Sequence, residues 1–317
     1  MKDTATSALV DMLKGVVVSA ALFFAYLNLP LVGMAAGVFA SFPAIYFGLK
    51  RGRSVALLIV CLTALVFLPF PKGANIALFY LVQCGLLSAA LTWFLAAGNS
   101  GSRSLVQAVA INLLMAVVVT VAFGMIQGSD PHSYIIKEID SSISQTLPLF
   151  EKSGMKGEEL ELLRESMQQA KALLVQIYPA LVVVWVSLVG CLNLLLVRIV
   201  APRLPCTLNL GAFTAYRMPE PLVWVLIVSG FGLLVPDATV AQVALNILIV
   251  VCSGYFLQGA ALMTAIGNRF AVPPLFRYLL YLFLLLQPYL LLGLVVVGIF
   301  DIWGDFRAPR QPKKPVD

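Results

Sequence analysis

The chain of 317 residues is 61% hydrophobic and only 11% charged, with a mean hydropathy of +0.96. Because soluble domains usually carry about 25% charged and about 45–50% apolar residues, this composition excludes an ordinary soluble protein and indicates a helical membrane protein. The net charge of +6 comes from short basic clusters between apolar runs, which is typical of cytoplasmic loops near anionic lipid. We therefore expect the lipid bilayer, and not nucleic acid, as the main partner.

The apolar runs predict an all-α fold, a polytopic helical bundle of 8–9 membrane segments. A helix needs about 20 apolar residues to cross a hydrocarbon core of about 30 Å. In chain order the predicted segments are residues 10–28, 31–49, 53–70, 73–97, 104–127, 173–200, 222–236, 240–267 and 275–300.

Two of these segments are unlike the others. The run 222–236 has 15 residues and would extend about 22 Å as a helix. The run 275–300 contains Gln287-Pro288 near its middle, where proline removes a helical hydrogen bond. We expect eight full crossings plus one broken or re-entrant segment near the C-terminus, with both termini in the cytoplasm.

A polar insertion, residues 128–172, interrupts the apolar pattern with eight acidic and five basic side chains. Ser129-Asp130-Pro131 is typical of a helix start, and apolar residues then recur at steps of three and four, with a break at Ser153-Gly154. The pattern predicts two amphipathic helices that lie on the membrane surface or pack over the spans. The simpler alternative is that they only cap the bundle.

The basic residues predict the orientation. Clusters at 50–53 and 198–217 mark cytoplasmic loops, which places the acidic insertion outside the cytoplasm. Four regions follow: an N-terminal five-helix membrane region (1–127), the extracytoplasmic amphipathic helices (128–172), the C-terminal membrane helices (173–304) and a basic cytoplasmic tail (305–317).

The sequence offers little for catalysis. His132 is the only histidine and lies in the polar insertion, where we expect a solvated side chain. Gly98-Asn99-Ser100-Gly101 matches the GxSG string of rhomboid-type intramembrane proteases, but such an enzyme needs a histidine within a neighbouring span. No phosphate-binding loop, dinucleotide-binding motif or CxxC pair is present. We expect no enzymatic activity, no metal and no cofactor.

Neutral amide side chains within the spans are the candidate ligand-lining residues. Amides are costly in hydrocarbon unless they have partners, so they should face the bundle or a cavity. Hydrogen bonding between helices is the alternative role, but we predict that at least two of Asn246, Gln258 and Gln287 line one polar cavity. The full candidate set is Asn246, Gln258, Gln287, Gln83 and Asn112.

Small residues repeat at helical spacing in the first two spans. Ala21 and Ala25 form an AxxxA pair, and Gly33 and Gly37 form a GxxxG pair. Such faces allow close approach of two helices. They serve either packing within the chain or the docking of another membrane subunit.

Several short motifs carry a resemblance to a known family. They include Met218-Pro219-Glu220-Pro221, Leu257-Gln258-Gly259, Gly298-Ile299-Phe300-Asp301 and Asp305-Phe306-Arg307. Together with the polar insertion after five spans, this layout resembles the YybS-like family of bacterial inner-membrane proteins, which has no known function. The resemblance implies a multi-pass protein of the bacterial inner membrane and supplies no catalytic residue.

The first 100 residues are also similar to the S components of energy-coupling-factor vitamin transporters. The similarity rests on the Ala21/Ala25 pair and on Pro43 before Gly48-Leu49-Lys50-Arg51. It implies a non-enzymatic component that binds a small molecule for transport and docks onto a coupling subunit through the alanine face. The alternative is a scaffold or interaction protein of the cell envelope that binds no solute.

Overall fold

The computed structural model describes residues 2–29, 31–128, 131–152, 157–304 and 306–307, and all the regular elements in these residues are helices. Within this part of the chain, six helical segments are long and apolar enough to cross a membrane. They are Thr6–Asn28, Val32–Arg51, Gly73–Ala96, Gly101–Ile126, Glu158–Arg203 and Ala238–Arg269. The chain is therefore an all-helical, multi-pass membrane protein, as the composition predicts.

The chain forms two compact units, one that ends at Leu210 and one that begins at Gly211. The four predicted regions follow composition and membrane topology and remain predictions. The helices of the first unit are α1 (Lys2–Asn28), α2 (Leu31–Phe39), α3 (Phe42–Arg51), α4 (Arg53–Phe67), α5 (Gly73–Tyr80), α6 (Leu86–Ala96), α7 (Gly101–Gln127), α8 (Pro131–Lys152) and α9 (Glu158–Val200). A π-helical turn, Leu81–Gly85, joins α5 to α6.

Aromatic packing holds α1, α4 and α5 together. The Phe23 ring lies 5.3 Å from the Phe67 ring and 5.1 Å from the Tyr80 ring, both at steep angles. Edge-to-face contacts of this kind add to packing, which in lipid replaces the hydrophobic effect as the main attraction between helices. Farther along the unit, Leu87 and Leu91 of α6 pack with residues of α3 and α9 in a second buried cluster.

The loops that carry the predicted cytoplasmic charges lie at one end of the first unit. Asp11 accepts contacts from Lys50 at 2.9 Å and from Arg51 at 2.7 Å. The Cys206 thiol donates to the Leu49 carbonyl over 3.5 Å, which brings the segment after α9 beside the end of α3. This shared end agrees with a common cytoplasmic location for residues 50–53 and the segment after Arg198, while the membrane side itself remains a prediction.

In the polar insertion, helix α8 packs against the first part of α9 as a helical hairpin. The Nδ1 atom of His132 lies 3.0 Å from the hydroxyl of Tyr178, and Lys171 forms an ion pair with Asp140. These contacts align α8 antiparallel to residues 158–178 of α9, and we call the two segments the arm. The predicted break at 153–154 lies outside the described residues, between the end of α8 and the start of α9.

The helices of the second unit are α10 (Leu222–Gly232), α11 (Ala238–Arg269), α12 (Pro274–Leu286) and α13 (Pro288–Gly304). The side chain of Asp237 caps α11 by accepting hydrogen bonds from two backbone N–H groups, each at 2.9 Å. Gly232 lies against Ala244, so that α10 follows the first half of α11. Gly298 lies against the Tyr255 carbonyl, so that α13 packs on the second half.

A bent pair of helices occurs at one of the two segments that the sequence singles out, and the count of eight full crossings stays a prediction. Gln287 is extended, with φ −116° and ψ 97°, and the helices on either side meet at 110°. The segment predicted at 222–236 gives the 11-residue helix α10, about 16 Å long. In the described residues, the nine predicted segments thus correspond to six helices of spanning length, one bent pair and the shorter apolar helices α4 and α10.

Candidate functional site

The two amides predicted in the first unit lie in or against the π-helical turn. Asn112 of α7 is fully buried, and its Nδ2 atom donates to the Val82 carbonyl over 2.9 Å. That carbonyl lies in the π-helical turn, where the wider winding changes the usual hydrogen-bond ladder. Gln83 is half-buried in the same turn. The Asn112 side chain thus joins α7 to the α5–α6 span.

The three amides predicted in the second unit are not brought together. Asn246 is half-buried and donates from Nδ2 to the Gln242 carbonyl of its own helix over 2.8 Å. Gln287 is exposed because Pro288 ends the helical ladder and turns the chain at this position. Gln258 alone is fully buried. Of the three amides, Gln258 is thus the one inside the packed unit, and a cavity shared by Asn246, Gln258 and Gln287 stays a prediction.

Gln258 contacts the buried carboxylate of an ion pair. Its Nε2 atom donates to Oδ2 of Asp301 over 3.2 Å. The same oxygen lies 2.6 Å from Nη2 of Arg307. Asp301 is fully buried and the Arg307 side chain is only 12% exposed. We call Gln258, Asp301 and Arg307 the junction cluster.

Backbone groups complete the cluster. Arg307 donates from Nη1 to the Thr214 carbonyl over 2.6 Å. The Met218 N–H donates to Oε1 of Gln258 over 2.7 Å. The junction cluster therefore fastens the segment before α10 and the residues after α13 to the side of α11.

Two polar atoms of the cluster have no hydrogen-bond partner among the described residues. They are Oδ1 of Asp301, an acceptor, and Nε of Arg307, a donor, and both are buried. Such atoms are costly inside a protein, so each one needs an explanation. One belongs to the carboxylate and the other to the guanidinium that the Nη2–Oδ2 contact joins. Each charged group of the ion pair therefore has one such atom.

Glycines allow the helices beside the cluster to approach closely. A Cβ atom at Gly298 would lie 2.1 Å from the Tyr255 carbonyl oxygen, and one at Gly259 would lie 2.1 Å from the Leu294 carbonyl oxygen. Real Cβ atoms do not come this close to backbone atoms, so only glycine fits at either position. The close approach brings Asp301, one turn after Gly298, within reach of Gln258.

The small-residue faces of the first two spans have an internal role. A Cβ atom at Gly33 would lie 2.5 Å from the Ala25 carbonyl oxygen, and one at Gly37 would lie 2.4 Å from the Tyr26 ring. Gly33 and Gly37 are both buried and pack α2 on α1, which agrees with the packing alternative, and the docking of a partner subunit stays a prediction. Ala21 is exposed and Ala25 half-buried, so part of this face still reaches the surface.

None of the five predicted amides lines either of the following two open cavities in the described part of the chain. One is a groove of about 530 Å³ between α10 and α11, with walls that are almost entirely apolar. The other, of about 310 Å³, lies between α5, α7 and α8 and includes Asn75 and Thr120.

The remaining sequence candidates make other contacts. His132 contacts Tyr178 in the arm. The carbonyl of Ser100 accepts a hydrogen bond from the Ser104 N–H at the start of α7. The five cysteines are free, and no group of three His, Cys, Asp or Glu residues that could hold a metal occurs in the described residues.

Sequence reasoning identified Gln258 and missed its two charged partners. Asp301 and Arg307 stand in the motifs that carry the family resemblance, but they follow the last apolar run, where solvated side chains are expected. One feature of the sequence could have indicated the pair. Asp301 is an isolated acid at the edge of an apolar run, and an acid in such a position needs a partner.

No curated protein and no solved structure matches the chain. The resemblances to the YybS-like family and to S components remain predictions. A match to the family described as "Predicted membrane protein (DUF2232)" extends over residues 17–302, and the chain therefore belongs to this family of membrane proteins.

Proposed function

We propose that the protein is a non-enzymatic component of the bacterial inner membrane that binds a small polar solute at the junction cluster. The observation that carries the proposal is the fully buried Asp301 carboxylate, which pairs with Arg307 and has one oxygen without a hydrogen-bond partner in the described part of the chain. Ionisable groups within membrane helices are rare and costly, and they commonly mark the paths and sites of solutes.

The arrangement of helix ends supports this proposal. The segment that leads into α10 and the end of α13 both reach the side of α11 near Gln258. Discontinuous helices of this kind form the solute sites of many transporters, because their free ends supply polar backbone groups within the apolar bundle. Energy for transport would come from a partner subunit, for which the exposed Ala21 offers a small-residue contact.

The proposed topology follows the positive-inside rule. Both termini lie in the cytoplasm, and the arm lies on the opposite side of the membrane. The shared position of residues 50–53 and the segment after Arg198 supports this orientation.

The test of solute binding uses the intact protein in lipid nanodiscs. Small molecules released on denaturation are compared by mass spectrometry between the wild type and the double variant Asp301→Asn/Arg307→Gln, which keeps hydrogen-bonding groups but removes both charges. Gln287→Leu is the matched control, because Gln287 lies in the same unit and is exposed. We expect one solute enriched with the wild type and the control and depleted from the double variant. Equal recovery from all three proteins would contradict the proposal.

The arm favours a second candidate function, an interaction protein of the cell envelope. Helix α9 has 43 residues and is about 64 Å long, whereas the hydrocarbon core is about 30 Å thick. With α8 beside it, the charged part of α9 forms a projection about 30 Å long. Replacing residues 131–171 with a short Gly/Ser linker tests this candidate. Loss of the cellular function in that variant, with full function in the double variant of the cluster, would favour the interaction role.

A further inference from the structure

We propose that the solute of the junction cluster is a zwitterion, a small molecule with an ammonium group and a carboxylate in the manner of an amino acid. This inference rests on the proposed function, and it concerns the chemical class of the solute. It starts from the two polar atoms that lack partners, Oδ1 of Asp301 and Nε of Arg307.

The charges of these two atoms select against simple ions. A free anion could accept from Nε of Arg307 but would lie against the Asp301 carboxylate. A free cation could bind Oδ1 of Asp301 but would lie against the guanidinium. In a site of low dielectric each of these repulsions is strong. A molecule that carries both charges meets the carboxylate with its ammonium group and the guanidinium with its carboxylate, so each protein charge gains a partner.

Two helix ends lie close to residues of the cluster or to their contacts. Helix α10 begins at Leu222, four residues after Met218, and its first turn carries partial positive charge. Helix α13 ends at Gly304, and Asp301 lies in its last turn, where the carbonyl groups carry partial negative charge. The end of α13 therefore favours an ammonium group beside Asp301.

The buried position of the cluster explains how such a solute would be retained. Asp301 has no exposed side-chain surface, and the Arg307 side chain is 12% exposed. Arg307 also holds the Thr214 carbonyl, so movement of Arg307 would release the segment before α10. We infer that the solute enters between Asp301 and Arg307 as this segment moves. The single ion pair between the two residues is then replaced by two, one between each residue and the opposite charge of the solute.

The test measures thermal unfolding of the full-length protein in nanodiscs, followed by tryptophan fluorescence. The probes are glycine betaine and pools of the proteinogenic L-amino acids, at millimolar concentration. Sodium acetate and ethylammonium chloride, which supply each charge alone, are used at the same concentration. We expect at least one zwitterion to raise Tm by several degrees, since a ligand that binds only the folded state stabilises it. Neither half-ligand should do so.

Two variants provide the controls. The double variant Asp301→Asn/Arg307→Gln should fold, as size-exclusion chromatography can verify, and should lose the response to the zwitterion. The control Gln287→Leu should retain it. A response in the double variant equal to that of the wild type would overturn the assignment to these residues.

The other outcomes separate this inference from the proposed function. If acetate stabilises the protein as well as any zwitterion does, or if mass spectrometry finds a bound solute without both charges, the zwitterion is excluded and solute binding remains. If no probe shifts Tm and no solute is released, both are overturned, and the two unpartnered atoms are then explained by a fork-like ion pair or a bound water.

Discussion

Replacing Arg307 with glutamine should leave a charged carboxylate inside the second unit without its counterion. In the native protein, Oδ2 of Asp301 accepts from Arg307 at 2.6 Å and from Gln258 at 3.2 Å, and Arg307 also holds the Thr214 carbonyl. The substitution removes the charged donor and keeps only the longer contact to the amide. Because breaking a buried pair costs about 3–5 kcal/mol, we expect Arg307→Gln to lower the free energy of unfolding by about 3 kcal/mol.

A double-mutant cycle with Asp301→Asn tests the origin of this loss. Removing both charges leaves no uncompensated ion, and neutral replacements of buried pairs are often tolerated. We therefore expect the double variant to be within about 1.5 kcal/mol of the wild type, so that it costs less than Arg307→Gln alone. The assay is unfolding in mixed micelles with increasing fractions of denaturing detergent, followed by tryptophan fluorescence.

A change of less than about 0.5 kcal/mol in the free energy of unfolding on Arg307→Gln would refute this reasoning, because the pair would then behave as an exposed salt bridge. The buried geometry of the junction cluster would then not describe the protein in a membrane, and the proposed solute site would lose its basis.

Three further predictions concern packing, topology and catalysis. Gly298→Val should separate α13 from α11 and cost about 1–3 kcal/mol, whereas Gly293→Ala, which has open space around it, should be tolerated in the same unfolding assay. In a cysteine-free variant with single cysteines at Ser153 and Val316, an impermeant reagent should label only position 153 in intact spheroplasts. Labelling at 316 would exclude a cytoplasmic tail. Ser100→Ala should keep full function in cells, and its loss at normal protein levels would restore the protease hypothesis.

The helices were predictable because each depends on local sequence. Length and hydropathy identify the apolar segments, and Pro288 predicts the break after Gln287 through the hydrogen bond that proline cannot make. The end of α8 could also be placed, since the residues after Lys152 include glycine and interrupt the apolar stripe. In each case the physical cause lies within a few residues of the feature.

The junction cluster was only partly predictable because it depends on contacts distant in sequence. Gln258 could be chosen as a buried amide, but nothing local indicates that Arg307 turns back to meet Asp301 and Thr214. The glycines of α2 show the same limit. The GxxxG spacing predicts that a helix packs closely there, but only the fold shows that α1 packs there.

The arm and the junction cluster belong to different compact units, so the two candidate functions predict different defects. A scaffold that acts through the arm has no need of a charged pair in the second unit, where apolar residues of similar size would pack at least as well. A solute-binding protein needs that pair, because each charge both binds the solute and is costly to bury without a partner. The comparison of the arm replacement with the neutral double variant therefore distinguishes the functions in one set of cells. If only the arm replacement fails, the buried pair has a purely structural role. If only the double variant fails while it is folded and inserted, the charges themselves are required, and solute binding is the explanation that the buried geometry supports.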